Sequence, residues 1–153
     1  LASRFQPLNL TATAEFAQFD PVFVTVTADY VKNLGFDRAE IRSRTGVDLE
    51  PRTTGYQYRF QAGARSMRNA GDWQAFGAVR RLERDAVLDG FTDTTWNLGG
   101  TNYKGWSLGY SYGLDRNAWA TLRWTSTRAL TYPGGPWAPF AVDIVQLDFN
   151  TRF

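Results

Sequence analysis

Seven stretches of this chain alternate apolar and polar residues with a period of two, and the apolar row read from them carries no charge in any of the seven. Successive side chains on a β-strand point to opposite faces, so such alternation over about ten residues marks a two-faced strand. The strands are read as Pro7–Gln18, Val22–Val31, Gly55–Ala64, Asp72–Arg81, Gly105–Leu114, Asn117–Ser126 and Ala141–Phe153. One row reads Leu8, Leu10, Ala12, Ala14, Phe16, then Val22 to Tyr30, Tyr56 to Ala64, Trp73 to Val79, Trp106 to Leu114, Ala118 to Trp124 and Val145 to Phe153, every second residue. The interleaved row is small and neutral-polar, with Glu15, Asp29, Arg59, Arg80, Arg123, Asp148 and Arg152 as its charges and Phe23, Phe76 and Trp119 as its rings. Helical periodicity is confined to Asp37–Arg44 and Arg81–Leu88, a turn or two each.

The connections alternate in length. Phe19-Asp20-Pro21, the stretch Arg65–Gly71 and Asp115-Arg116 are short. The segments 32–54, 82–104 and 127–140 are long, the last containing Pro133-Gly134-Gly135-Pro136. Long loops at one end of an up-and-down sheet and short turns at the other are the pattern of an outer-membrane β-barrel. A soluble sandwich has no reason to sort its loops this way.

An apolar and a polar face fit two architectures. In a soluble barrel the apolar face is the core; in a membrane barrel it faces lipid and the polar face lines water. Three features favour lipid. The polar row lacks the Lys and Glu of a soluble exterior: Lys32 and Lys104 are the only lysines against fifteen arginines. Aromatics make up 16% of the chain and gather toward strand ends, Tyr30, Tyr56, Tyr58, Trp106 and Trp124 near the long loops and Phe16, Trp73, Tyr112, Phe149 and Phe153 near the short turns. Such placement forms two interfacial girdles. Finally, a cation facing lipid at mid-depth costs about 2–4 kcal/mol, enough to clear that row of ions. The mean hydropathy of −0.39 and the lack of any apolar run near the ~18 residues of a spanning helix exclude a helical membrane protein and leave a β-barrel open.

The last strand, Val145, Leu147, Phe149 and the terminal Phe153 at alternate positions, looks like the C-terminal signal by which bacterial outer-membrane proteins are recognised by the barrel-assembly machinery. The stretches Phe19–Val22, Thr27–Asn33, Leu82–Asp89, Gly105–Leu114 and Asp143–Phe153 together resemble the C-terminal half of the putative porins of proteobacteria. The resemblance covers most of the chain. It implies a bacterial outer-membrane location, a water-filled transmembrane β-barrel and a homotrimer.

Strand parity adds an expectation of its own. Seven up-and-down strands would bring the first and last together in parallel, whereas bacterial single-chain barrels use even, antiparallel numbers. Seven strands at ~4.8 Å spacing and ~40° tilt span roughly 44 Å of circumference, about 14 Å across, a bore that Phe23, Phe76, Trp119 and the arginines would fill. Residues 1–153 are therefore expected to be the C-terminal segment of one larger barrel domain, of about sixteen strands, with the remaining strands as partners.

If the polar row lines water, Glu15, Asp29, Arg59, Arg80, Arg123, Asp148 and Arg152 line the pore, and opposed cations and carboxylates set a transverse field for polar solutes. The loop cations Lys32, Arg38, Arg42, Arg44 and Arg52 could meet lipopolysaccharide phosphates or simply pair with Asp37, Glu40, Asp48 and Glu50 in a solvated loop. The acidic group Glu83, Asp85, Asp89 and Asp93 matches no calcium-loop spacing. Formal charge is +2, too balanced to argue for nucleic acid. With His 0 and Cys 0, neither the usual general base nor a thiolate metal site is present. No enzyme, metal site or cofactor is read from this segment. Three readings stay open: a porin segment passing small hydrophilic solutes or ions by diffusion, a plugged barrel with a structural or adhesive role, and a soluble β-barrel holding an apolar ligand.

Overall fold

The computed structural model describes residues 4–131 and 140–152. Seven strands form one antiparallel sheet in chain order: β1 (Pro7–Phe16), β2 (Phe23–Asn33), β3 (Thr54–Gly63), β4 (Trp73–Leu82), β5 (Tyr103–Asp115), β6 (Ala118–Ala129) and β7 (Ala141–Thr151). Each end lies within a few residues of the alternation that announces it, and strands consecutive in the chain are neighbours in the sheet. The Pro133–Pro136 turn and the terminal Phe153 lie outside the described residues. β1 and β7 each pair with a single neighbour, so the sheet is open and has two edges.

The register sorts the faces as the alternation requires. Across the polar face, Thr27, Arg59, Ala78, Ser107 and Thr125 form one rung, and Thr25, Gln61, Phe76, Gly109, Arg123 and Gln146 the next. Hydroxyl pairs tie strands together on this face, Ser107 to Thr125 at 2.8 Å and Ser111 to Thr121 at 2.9 Å. Burial runs opposite to that of a soluble sheet. Thr125 is 1% and Ser107 4% exposed, while Leu108, Leu122, Leu147 and Phe149 on the other face are 52–73% exposed. Among the described residues the apolar row is thus not packed into a core.

The outer ends of the strands correct the sequence reading in one respect. β2 runs on to Asn33, β4 to Leu82 and β6 to Ala129, and β5 begins at Tyr103. Lys32, Lys104 and Arg128 therefore fall in the apolar row at its long-loop end, beside Arg81 of β4 and Asp143 of β7, which lie inside the strands expected from the sequence. The row is free of ions through its middle, where desolvation would be severe, and charged at one rim.

A short helix, α1 (Arg38–Thr45), stands in the connection between β2 and β3. The Asp37 carboxylate caps it by accepting from the Glu40 N–H at 3.0 Å, and Gly46, at φ 70°, ends it by donating to the Arg42 carbonyl. The helical turn expected over Arg81–Leu88 does not form. Arg81 and Leu82 complete β4, and the N–H groups of Glu83 and Asp85 donate outward to the Thr54 and Arg52 carbonyls at 3.0 and 2.8 Å. Pairing with the chain that leads into β3 takes the donors an i to i−4 ladder would need. Among the described residues a buried apolar cluster lies here, on the polar face rather than the apolar one: Leu82, Ala86, Trp96 and Tyr103, flanked by Val31, Ala78 and Val87.

Candidate functional site

The loop 83–102, between β4 and β5, folds back over the polar face. A single 3₁₀ turn, Asp89–Phe91, starts the return. Trp96 then drops onto the sheet, and residues 97 to 100 all hold positive φ, Asn97 at 53°, Leu98 at 60°, Gly99 at 91° and Gly100 at 81°. That left-handed run, uncommon outside glycine and asparagine, reverses the chain beneath its own start. Thr101 fixes the reversal by donating from its hydroxyl to the Arg84 carbonyl and the Asp89 carboxylate at 2.9 and 2.8 Å.

Two buried or half-buried polar residues hold the loop base. Asn33, 2% exposed, accepts from the Gln6 and Gly35 N–H groups at 2.9 Å and donates to the Arg4 and Asp85 carbonyls at 3.2 and 3.0 Å. Glu83 accepts from the Thr54 N–H and hydroxyl at 3.0 and 2.9 Å and pairs with Arg81 at 3.3 Å. Burial pushes the Glu83 carboxyl up, but Thr54 and Arg81 outweigh it and hold it below the usual carboxylate range.

Between loop and sheet lies a cavity of about 320 Å³ with three guanidinium groups, Arg59, Arg80 and Arg123, and one carboxylate, Asp93, on its walls. Arg80 donates to the Gln57 side-chain oxygen at 2.6 Å and to the Tyr103 hydroxyl at 3.0 Å, and its guanidinium lies 4.4 Å from the centroid of the Trp96 ring. Arg123 lies 5.5 Å from the Phe76 ring centroid, and its buried Nε has no hydrogen-bond partner among the described residues. Gly109 makes this possible: it sits between Phe76 and Arg123 in the rung, and a Cβ there would collide with the Phe76 ring. Phe23 and Trp119 are likewise matched with cations, Arg65 at 5.0 Å and Arg152 at 5.9 Å. Cation–π contact thus keeps four rings compatible with a polar wall.

Asp93 is the counter-charge of the cavity. Burial pushes its carboxyl up. The Thr95 N–H and hydroxyl, each donating at 2.8 Å, and the positive charges of Arg80 and Arg123 outweigh this and hold it below the usual carboxylate range.

Of the sequence-predicted polar-row charges, the structure brings together Arg59, Arg80 and Arg123. The others stand apart: Glu15 pairs with Arg65, Asp29 accepts from the Thr11 hydroxyl at 2.7 Å, Asp148 accepts from Gln146 at 3.0 Å, and Arg152 covers Trp119. The carboxylate facing the arginines comes from the loop, not from the neighbouring strands. Glu83, Asp85, Asp89 and Asp93 do not converge; each has its own partner, and no metal-ligand cluster forms among the described residues. In the region 32–54, Arg38 pairs with Asp48 at 2.6 Å, Arg44 with Glu40 at 3.3 Å and Arg52 with Glu50 at 2.8 Å. Asp93 and Trp96 are missed by strand periodicity because they lie in the loop, and Tyr103 because β5 starts two residues before the alternation read at Gly105. The one local signal is Asp93-Thr94-Thr95 followed by Trp96-Asn97-Leu98-Gly99-Gly100, an Asx-type turn and a tight reversal around a single indole.

On the opposite face, Tyr30, Tyr56, Tyr58, Trp73, Tyr112 and Trp124 are exposed, as are Val145, Leu147 and Phe149. Trp106 meets Trp124 edge-on at 5.0 Å, and Trp73 stacks on Tyr110 at 6.4 Å.

No curated protein and no solved structure matches the chain. The family model described as Putative porin matches residues 1–153. A transport family whose members are embedded in membranes accords with a sheet that exposes its apolar face, and the chain belongs to the putative porin family.

Proposed function

We propose that this sheet is part of the wall of a bacterial outer-membrane pore through which small hydrophilic solutes and ions diffuse passively. The observation that carries the reading is the cavity under the 83–102 loop. Its walls present three guanidinium groups and one carboxylate in a space open to solvent, on the face opposite the exposed apolar row. Cations on the wall against a carboxylate on the loop make a transverse field with a net positive sign, which favours anions modestly and orients dipolar solutes. Arg59, Arg80, Arg123 and Asp93 act at the narrow part; Glu15, Asp29, Asp148 and Arg152 line the wider wall. Tyr30, Tyr56, Tyr58, Trp73, Trp106, Tyr112 and Trp124 serve as interfacial anchors. Val145, Leu147 and Phe149, with Phe153, serve as the strand recognised by the assembly machinery. Strands outside this sheet cover its two edges, and a homotrimer is the expected assembly.

Reconstitution of the native protein in planar lipid bilayers tests this. Stepwise channel currents, with a reversal potential shifted toward the anion in a salt gradient, are expected. A protein that inserts but passes no current would overturn the pore reading. It would favour a plugged barrel, for which the loop cluster Leu82, Ala86, Trp96 and Tyr103 on the polar face is the specific support.

A further inference from the structure

The apolar face is charged at one rim only, and the register shows how the charges are arranged. Arg81 of β4, Lys104 of β5 and Arg128 of β6 stand directly opposite one another in the ladder. Neighbouring strands are about 4.8 Å apart, so three cations share roughly 10 Å of surface, an arrangement that repels itself unless an anion intervenes. Glu83 neutralises Arg81 alone, at 3.3 Å. Lys104 and Arg128 make no ion pair among the described residues, and Asp143, opposite Ser126, pairs with neither.

Immediately below, the face is hollow. A cavity of about 480 Å³ is rimmed by Arg81, Lys104 and Arg128 and floored by Val79 and Trp106. It adjoins an apolar trough of about 390 Å³ that shares Val79 and Trp106 and runs past Leu108 to Gly77, where the missing side chain deepens it. A cationic depression that shares Val79 and Trp106 with an open apolar trough, on a face that presents hydrocarbon-like side chains, has the polarity of an amphiphile.

We propose that Arg81, Lys104 and Arg128 bind the phosphate of one anionic membrane lipid, whose acyl chain lies along the trough over Val79, Trp106 and Gly77. The site rests on the membrane reading above but is separate from the pore, since all of these side chains point away from the polar face. Lysine and arginine reach the headgroup level from the edge of the apolar band while their stems stay in it, and arginine holds phosphate in a bidentate fork. The lipid phosphate supplies the anion that Lys104 and Arg128 lack, next to the Arg81–Glu83 pair.

The test uses the native protein in a zwitterionic detergent, with lipid binding followed by native mass spectrometry. Wild type is expected to bind dilauroyl phosphatidic acid about tenfold or more tightly than dilauroyl phosphatidylcholine, whose headgroup is net neutral, and Lys104→Gln/Arg128→Gln is expected to abolish the preference. Gly77→Leu, which fills the trough, is expected to weaken both lipids. Equal binding of the two lipids by wild type would overturn the proposal, whether or not the double variant folds. Displacement of phosphatidic acid by an equal concentration of inorganic phosphate would also overturn it, since the site would then be one for free anions. Bilayer conductance separates this inference from the pore reading. The double variant should conduct like wild type; if wild type itself passes no current, the pore reading fails and the lipid comparison still decides the site.

Discussion

The sign of the cavity is set by single side chains. Arg123 is held by a ring rather than by a carboxylate, leaving its charge uncompensated by any close ion pair. Arg123→Gln should therefore move the reversal potential toward the cation, and Asp93→Asn should move it the other way, both read in a salt gradient across a planar bilayer. Gly109→Val should mimic the loss of Arg123 by displacing the Phe76 ring on which the guanidinium lies. Acid provides a further check. The folded-state value of Asp93 is held below the ordinary aspartate value of about 3.9. Its contribution to loop anchoring is then fully present above that ordinary value and is lost only as pH falls through the lower, folded one. The fluorescence difference between wild type and Trp96→Phe should be unchanged from pH 7 down to about 5 and should collapse only in stronger acid; loss near neutrality would refute the assignment. At this scale the sequence was half legible. Alternation placed Arg59, Arg80 and Arg123 on one face, because strand geometry dictates it. Their counter-charge was not legible, because Asp93 reaches them through a loop whose path depends on left-handed residues 97–100 and on long-range hydrogen bonds.

Strands are the elements that period-two patterning reveals most directly, and all seven appear where it puts them. The ends are less legible: the apolar alternation stops short of Lys32, Lys104 and Arg128, yet β2, β5 and β6 carry on into a charged rim. The expected turn of helix at Arg81–Leu88 failed for a related reason, since a local pattern cannot register that Thr54 and Arg52 compete for the same donors. The strand middles make a quantitative prediction. Leu122 is 52% exposed on the apolar face at mid-strand, so Leu122→Arg should cost about 2–4 kcal/mol in lipid, measured by reversible denaturant unfolding in vesicles. A change of a few tenths would mean that this face does not meet hydrocarbon. The loop is governed by Asn33, which joins the segment before β1, the connection after β2 and the 83–102 loop through four hydrogen bonds. Asn33→Ala strands buried backbone groups at about 1–3 kcal/mol each. It should expose the 83–102 loop to limited proteolysis and make the channel current noisier, while leaving the strands of the sheet protected.

For the whole molecule the question is what the two edges meet. An exposed edge is a row of unpaired N–H and C=O groups, and in hydrocarbon such groups cannot be left unsatisfied. β1 and β7 run the same way, both from the long-loop end to the short-turn end, because six hairpins separate them. Closing the sheet on itself would need one parallel seam and would give a bore of roughly 14 Å between backbones, which Arg80, Phe76, Trp96, Trp119 and Arg123 would obstruct. Pairing each edge with an antiparallel strand from outside the sheet avoids the seam and leaves room for water beside the loop. The two closures differ in a measurable distance. The register carries Ala12 of β1 across to Asp143 of β7, and closing seven strands at ~40° tilt staggers the seam by about six to eight residues. If β1 and β7 were neighbours, cysteines on the apolar face, Ala12→Cys with Phe149→Cys or Thr151→Cys, would therefore fall within disulfide reach, about 4.4–6.8 Å between Cα atoms. Oxidation of the folded native protein in detergent is expected to leave these pairs unlinked within one chain, as judged by peptide mapping. A control pair on true neighbours, Ala120→Cys with Phe149→Cys on β6 and β7, should link efficiently. Efficient linkage between β1 and β7 would establish a small closed barrel and, with its side chains filling the bore, would end the pore reading.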